Sequence, residues 1–161
     1  MSVQTIVRSL EELTNIHEDL IDISKEKTEL IKSGSPENLQ KLLIKEQKYI
    51  HKLEQREQNR ERAVFDWLEK EGMKTSTPIT EIMEHISDKK IREKLEQITT
   101  KLTKAITDLK HQEQMNQSLL QQSVQFVQLS LNTMNPTLKN VNYDKKSSVS
   151  GEKRSMFDSK A

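Results

Sequence analysis

Apolar side chains recur at steps of three and four residues through four stretches of the chain, the spacing that places them on one face of an α-helix. No stretch shows the apolar–polar alternation of a half-buried β-strand. The pattern predicts helices at about 3–33, 37–71, 79–86 and 88–134. The positions expected on their buried faces are Ile6, Leu13, Ile16, Leu20, Ile23 and Leu30, then Leu39, Leu43, Ile50, Leu53, Val64, Trp67 and Leu68, then Ile79, Ile82, Met83 and Ile86, and finally Ile91, Leu95, Ile98, Leu102, Ile106 and Leu109.

Three glycines and three prolines mark the ends of these helices. Gly34 suits the left-handed conformation that ends a helix, and Pro36 suits the first position of the next one. A connection this short predicts that the first two helices form an antiparallel hairpin. Helix-capping side chains are expected at Ser35, Thr77 and Ser87, and helix ends at Gly72 and Pro136.

The predicted fold is all-α. The first two helices would each be roughly 45–50 Å long and the last one roughly 65 Å. Because each carries a narrow apolar stripe, we expect an elongated antiparallel hairpin that packs lengthwise with the long C-terminal helix in a coiled-coil-like bundle. Residues 1–135 would form this bundle. Residues 136–161 are polar and aperiodic, which predicts a flexible, disordered tail.

Polar residues interrupt both stripes of the predicted hairpin. They are His17, Ser24 and Lys27 in the first helix and Glu46, Glu57 and Arg60 in the second. One interpretation is that they form polar layers that fix the register of the helices, or lie at the rim of the interface. The other is that a second chain completes the interface at these positions.

The amino-acid composition excludes several classes of function. Apolar residues make up 32% of the 161 residues, too few for the thick core of a sheet-based enzyme. The 26 basic and 25 acidic residues leave a net charge of +1, without the basic excess of a nucleic-acid-binding protein. The absence of cysteine excludes disulfides and thiolate metal sites. No signal peptide or membrane-spanning stretch is apparent, so we expect a cytoplasmic protein without membrane insertion.

Candidate chemistry is sparse. The four histidines, His17, His51, His85 and His111, are far apart, and only Asp108 and His111 have a helical i, i+3 relation. The glycines do not cluster into a phosphate-binding loop. The sequence therefore predicts no catalytic residues, no metal and no cofactor.

The most informative stretch is 114–138, which carries no charged residue in a chain that is 32% charged. Its apolar side chains would project across roughly 220° of the helix surface, more than one packing interface needs. Such a face favours binding to another surface. Self-association, or folding back onto the short 79–86 helix, is the alternative. The apolar residues are Leu119, Leu120, Val124, Phe126, Val127, Leu129 and Leu131.

In four groups of residues, the sequence resembles the FlgN family of flagellar type III export chaperones. These chaperones keep hook-filament junction proteins soluble before export. The resemblance spans nearly the whole chain. It consists of Leu10, Leu13, His17, Leu20, Lys27, Leu30 and Gly34 in the first helix; Leu39, Glu46, Leu53, Glu57 and Arg60 in the second; Asn116-x-x-Leu119-Leu120-x-x-Ser123-Val124-x-Phe126-Val127 in the uncharged stretch; and Tyr143 with the terminal Met156-Phe157-Asp158-Ser159-Lys160-Ala161.

This resemblance implies a chaperone that binds the terminal amphipathic helices of hook-filament junction proteins, prevents their premature assembly and delivers them to the export apparatus. Tyr143 would contact the cytoplasmic domain of the export gate. A self-assembling structural coiled-coil protein without export cargo is the alternative function. The expected cargo-binding residues are Asn116, Leu119, Leu120, Ser123, Val124, Phe126, Val127 and Leu131.

Overall fold

The computed structural model describes residues 3–134. Within this range it is all-α, as predicted, with α1 at Val3–Ser33, α2 at Pro36–Lys70, α3 at Ile79–His85 and α4 at Lys89–Met134. These bounds differ from the expected ones by at most one residue. The chain divides into two compact units, Met1–Leu119 and Leu120–Ala161. The predicted tail, 136–161, lies outside the described residues.

In the first unit, α1 and α2 pack against each other as a hairpin. Gly34 connects them with a φ of +66°, the left-handed conformation expected there. Ion pairs show that the helices are antiparallel, since Arg56 of α2 meets Glu12 near the start of α1, whereas Glu46 meets Lys27 near its end. The hairpin prediction is therefore confirmed.

The fourth helix runs parallel to α1 in this unit. Lys94 pairs with Glu11 at 3.2 Å, and Lys101 pairs with Glu18 at 3.5 Å, so residue numbers rise along both helices together. Helix α1 thus contacts both α2 and α4. This position explains why α1 buries thirteen of its residues, while α2 and the described α4 bury four and three.

The apolar core lies where the beginning of α1 meets the end of α2, α3 and the beginning of α4. The core includes Trp67, which is 4% exposed, and two leucines that are 2% exposed, Leu68 and Leu95. The short helix α3 closes this end with Ile82 and, just after it, Ile86. The buried members are Ile6, Val7, Leu10, Ala63, Trp67, Leu68, Ile82, Ile86 and Leu95.

Three buried-face assignments and all three expected caps differ from expectation. Ile79, expected on the buried face of α3, is 41% exposed. Leu42 is 5% exposed and its neighbour Leu43 44%, while Ala105 is 6% exposed and Ile106 46%, so each predicted position is one residue too late. The cap of α4 is Asp88, whose Oδ1 accepts hydrogen bonds from the backbone N–H groups of residues 90 and 91, rather than Ser87. Thr77 instead donates its hydroxyl hydrogen to the carbonyl of Lys74.

The third expected cap is Ser35, which precedes α2. Its hydroxyl accepts a hydrogen bond from the side chain of Asn38 at 2.9 Å and caps no backbone N–H group. Pro36 occupies the first helical position, where its missing N–H costs nothing because that group would have no helical partner. The helix therefore starts through proline geometry rather than through the serine side chain.

Candidate functional site

Two features of the structure bear on function, a buried polar layer in the first unit and an exposed apolar surface in the second. The polar layer joins α1, α2 and α4. It consists of Ser24, Lys27, Thr28, Glu46, Gln112, Glu113 and Asn116.

The charged centre of the polar layer is Lys27. Its side chain is 8% exposed and pairs with Glu46 of α2 at 2.6 Å and with Glu113 of α4 at 3.2 Å. Burial lowers the pKa of Lys27, but hydrogen bonds and charge attraction from the two carboxylates outweigh it and raise the pKa above its usual value. The ammonium group of Lys27 on α1 thus binds carboxylates from both α2 and α4.

The neutral part of the polar layer is equally well bonded. Asn116 is 1% exposed and donates to the carbonyl of Ser24 at 2.8 Å, while its Oδ1 accepts a hydrogen bond from the hydroxyl of Thr28. Ser24 donates its hydroxyl hydrogen to Glu113 at 2.8 Å, and Gln112 donates to Thr28 at 2.7 Å. Because buried polar groups are costly without partners, this reciprocal bonding is what allows the layer to be buried.

The polar residues that interrupt the two stripes have hydrogen-bond or ion-pair partners within this chain. Ser24, Lys27 and Glu46 bond within this one chain. Glu57 pairs with Arg60 one turn later on α2, which lowers the pKa of Glu57 through the hydrogen bond and the positive charge. His17 bonds to the carbonyl of Leu13 in its own helix. At these positions the chain itself supplies the partners.

The exposed apolar surface lies on the part of α4 that belongs to the second unit. We call it the distal apolar surface. Its side chains are all at least 41% exposed, and the flanking glutamine, serine and asparagine side chains are uncharged. It consists of Leu120 (41%), Val124 (55%), Phe126 (70%), Val127 (54%), Leu129 (65%), Leu131 (60%) and Met134 (83%).

The spacing of these residues divides the surface into a stripe and a flank. Leu120, Val124, Val127, Leu131 and Met134 follow one another at steps of four and three, so they share one face of the helix. Phe126 and Leu129 project roughly 120° and 180° away from Leu120. The stripe alone would present five side chains over about 20 Å of helix, enough for one partner helix.

The predicted cargo-binding residues fall into different environments. Leu120, Val124, Phe126, Val127 and Leu131 are exposed members of the distal apolar surface. Ser123 is exposed beside them, and Leu119, at the end of the first unit, is half-buried. The structure places Asn116 in the polar layer instead, where its side chain is covered. Tyr143 lies outside the described residues.

Sequence reasoning left Met134 out of the surface. It also left Thr28, Gln112, Glu113 and Asn116 out of the polar layer. The signal for Met134 was its position three residues after Leu131, which continues the four-and-three spacing. Thr28 and Gln112 each lie one residue from a charged member of the layer. Nothing in their spacing alone marks them as bonded to each other.

Comparison with known proteins decides the family. The family described as FlgN protein matches residues 1–151. The chain belongs to the FlgN family. Membership indicates a flagellar export chaperone, and FlgN is a chaperone family rather than an enzyme family. The FlgN-family chain is also 34% identical to "Uncharacterized protein YvyG" of Bacillus subtilis (strain 168) over 166 residues, which cover 100% of both chains. No solved structure gives a significant match.

Within residues 3–134 of this FlgN-family chain, none of the helices combines the length and the apolar character that spanning a membrane requires. In the same range, the histidine, aspartate and glutamate side chains form no group of three or more that could hold a metal ion.

Proposed function

We propose that this chain is a cytoplasmic chaperone for flagellar hook-filament junction proteins, and that it binds a terminal amphipathic helix of the cargo on the distal apolar surface. The observation that carries the proposal is the exposure of seven large apolar side chains in a stretch without any charge. Folding of such a polar chain does not require so much exposed apolar surface. A large exposed apolar surface is typical of a binding site.

The chemistry of the surface suits an amphipathic helix. The stripe from Leu120 to Met134 repeats at four and three residues, which is the spacing with which one helix packs along another. At about 25 cal/mol per Å² of apolar area, covering several hundred Å² on each partner is enough for micromolar or tighter binding after ordering costs. A cargo helix held this way could not polymerise through the same apolar face.

We assign the direct cargo contacts to Leu119, Leu120, Val124, Phe126, Val127 and Leu131, with Ser123 at the rim of the surface. Tyr143 remains the proposed contact with the cytoplasmic domain of the export gate. It lies nine residues beyond the last described residue, Met134, so cargo binding and gate docking would use different parts of the chain.

Sedimentation velocity tests this function against self-assembly. The chain should sediment as one species whose size does not change with concentration, and it should form a larger, defined complex when a hook-filament junction protein is added. Since the surface carries no charge, the affinity should change by less than about threefold between about 0.1 M and 1 M salt. A large oligomer that takes up no junction protein would instead establish the structural coiled-coil function.

A further inference from the structure

In the polar layer of the first unit, α1 and α4 recognise each other through specific polar contacts. Elsewhere α4 presents an apolar repeat, Leu95, Ile98, Leu102 and Leu109, in which one leucine can replace another after a slide of seven residues, although the buried Ala105 would give way to Ile98 or Gln112. The other buried polar side chains of α1 bond to their own helix, since Ser9 reaches the carbonyl of Ile6 and Thr14 that of Leu10.

Apart from Lys27–Glu113, the two exposed ion pairs between α1 and α4 leave the register open. Lys94 and Lys101 are seven residues apart, and so are their partners Glu11 and Glu18. After a slide of seven residues in either direction, one lysine still meets one glutamate. These pairs are also exposed, with side chains 41–61% accessible, so each contributes little to stability.

The polar layer does not tolerate the same slide. Moving α4 by seven residues would replace Glu113 with Leu120 in one direction or with Ile106 in the other. Either side chain would place hydrocarbon against the buried ammonium of Lys27. Asn116 would be replaced by Ser123 or Leu109, and Ser24 and Thr28 would lose the amide that bonds both. A buried cation or hydroxyl that loses its partner is strongly disfavoured.

We infer that the polar layer is a register lock, in which Glu113 and Asn116 hold α4 at one position along α1. A slide by seven would change which α4 residues pack on α1 and which apolar residues of α4 remain accessible to cargo. This consequence for cargo rests on the proposed function, whereas the register itself does not. Glu113 and Asn116 are thus positioning residues.

Because the chain contains no cysteine, paired cysteines report the register directly. A slide by seven residues moves α4 by about 10.5 Å, so a thiol cross-linker shorter than that distinguishes the registers. Glu11→Cys with Lys94→Cys reports the observed register. Glu11→Cys with Lys101→Cys reports a slide in one direction, and Glu18→Cys with Lys94→Cys reports the other.

A variant without the lock combines Lys27→Met, Glu46→Met, Glu113→Leu and Asn116→Leu. Because the lysine and both carboxylates are replaced together, no buried charge is left unpaired. Without Asn116, Thr28 can turn its hydroxyl hydrogen to the carbonyl of Ser24, 3.1 Å away. Circular dichroism checks that the variant remains helical. Glu113→Gln alone, which keeps the acceptor for Ser24, is the conservative variant.

In the otherwise unaltered chain and in Glu113→Gln, only the pair at 11 and 94 should cross-link. In the variant without the lock, the cross-linking yield of a shifted pair should rise at least tenfold. Cargo affinity should fall at least threefold, because only part of the population keeps the observed register. Cross-linking confined to the pair at 11 and 94 in that variant would overturn the register lock, whatever the affinity. Shifted cross-links with unchanged affinity would overturn only the positioning role. Failure of the cargo to bind the unaltered chain would count against the proposed function alone.

Discussion

Replacing Leu120, Val124 and Val127 by glutamate is expected to weaken cargo binding at least 100-fold. The three residues lie next to one another on the stripe of the distal apolar surface and are 41–55% exposed, so the change leaves the core of the first unit untouched. In the complex each glutamate would have to lose its hydration against an apolar cargo face. Isothermal titration calorimetry with a junction protein measures the loss.

The matched control places the same three charges on the same stretch of α4. Gln121, Gln125 and Gln128 are exposed, and all three project away from the stripe. Changing them to glutamate should alter the affinity by less than about threefold, with circular dichroism unchanged in both variants. Equal losses in the two variants would mean that charge alone, rather than the apolar stripe, governs binding.

The second large effect is expected at Lys27. Lys27→Met leaves the carboxylates of Glu46 and Glu113, with side chains 16% and 42% exposed, facing each other without the cation between them. Removing one member of a buried charged pair costs about 3–5 kcal/mol. Because water reaches Glu113, urea unfolding at pH 7 should show a loss at the lower end of this range, about 3 kcal/mol. The control Lys101→Met, which removes an exposed pair with Glu18, should cost less than about 1 kcal/mol.

The pH dependence of this loss follows from the raised pKa of Lys27. A group whose pKa is higher in the folded state stabilises it fully below the unfolded pKa, which for lysine is about 10.4. This contribution disappears as the pH rises through the higher folded value. The difference between the wild type and Lys27→Met should therefore be constant from pH 7 to about 10 and shrink above that. A difference that shrinks between pH 7 and 9 would contradict the raised pKa.

The sequence predicts the helices well because their signals are local. Gly34 with Pro36 defines the hairpin, and apolar steps of three and four define each buried face. The prediction of buried positions is less accurate where two neighbouring apolar residues could each occupy the buried face, as with Leu42 and Leu43. Both are leucines, so only the contact with α1 decides which one is buried. The same holds for Ala105, which is buried while the larger Ile106 is exposed.

The candidate site was predictable in part. The absence of charge in 114–138 and the width of its apolar face are properties of the sequence, and they point to the surface that the structure leaves exposed. The sequence could not show that Asn116 is covered by α1, because its partners Ser24 and Thr28 are about ninety residues away. For the same reason, the spacing could not decide whether Lys27 and Glu46 meet each other or a second chain.

Amide hydrogen exchange of the free chain and of its complex with a junction protein tests the central claim most directly. The last turns of an exposed helix open readily, so amides in 120–134 should exchange quickly in the free chain. Binding of a cargo helix along the stripe should slow them at least tenfold while leaving exchange in α2 unchanged. Slowed exchange in α1 and α2, with 120–134 unaffected, would place the cargo on the hairpin and contradict the assignment of the distal apolar surface.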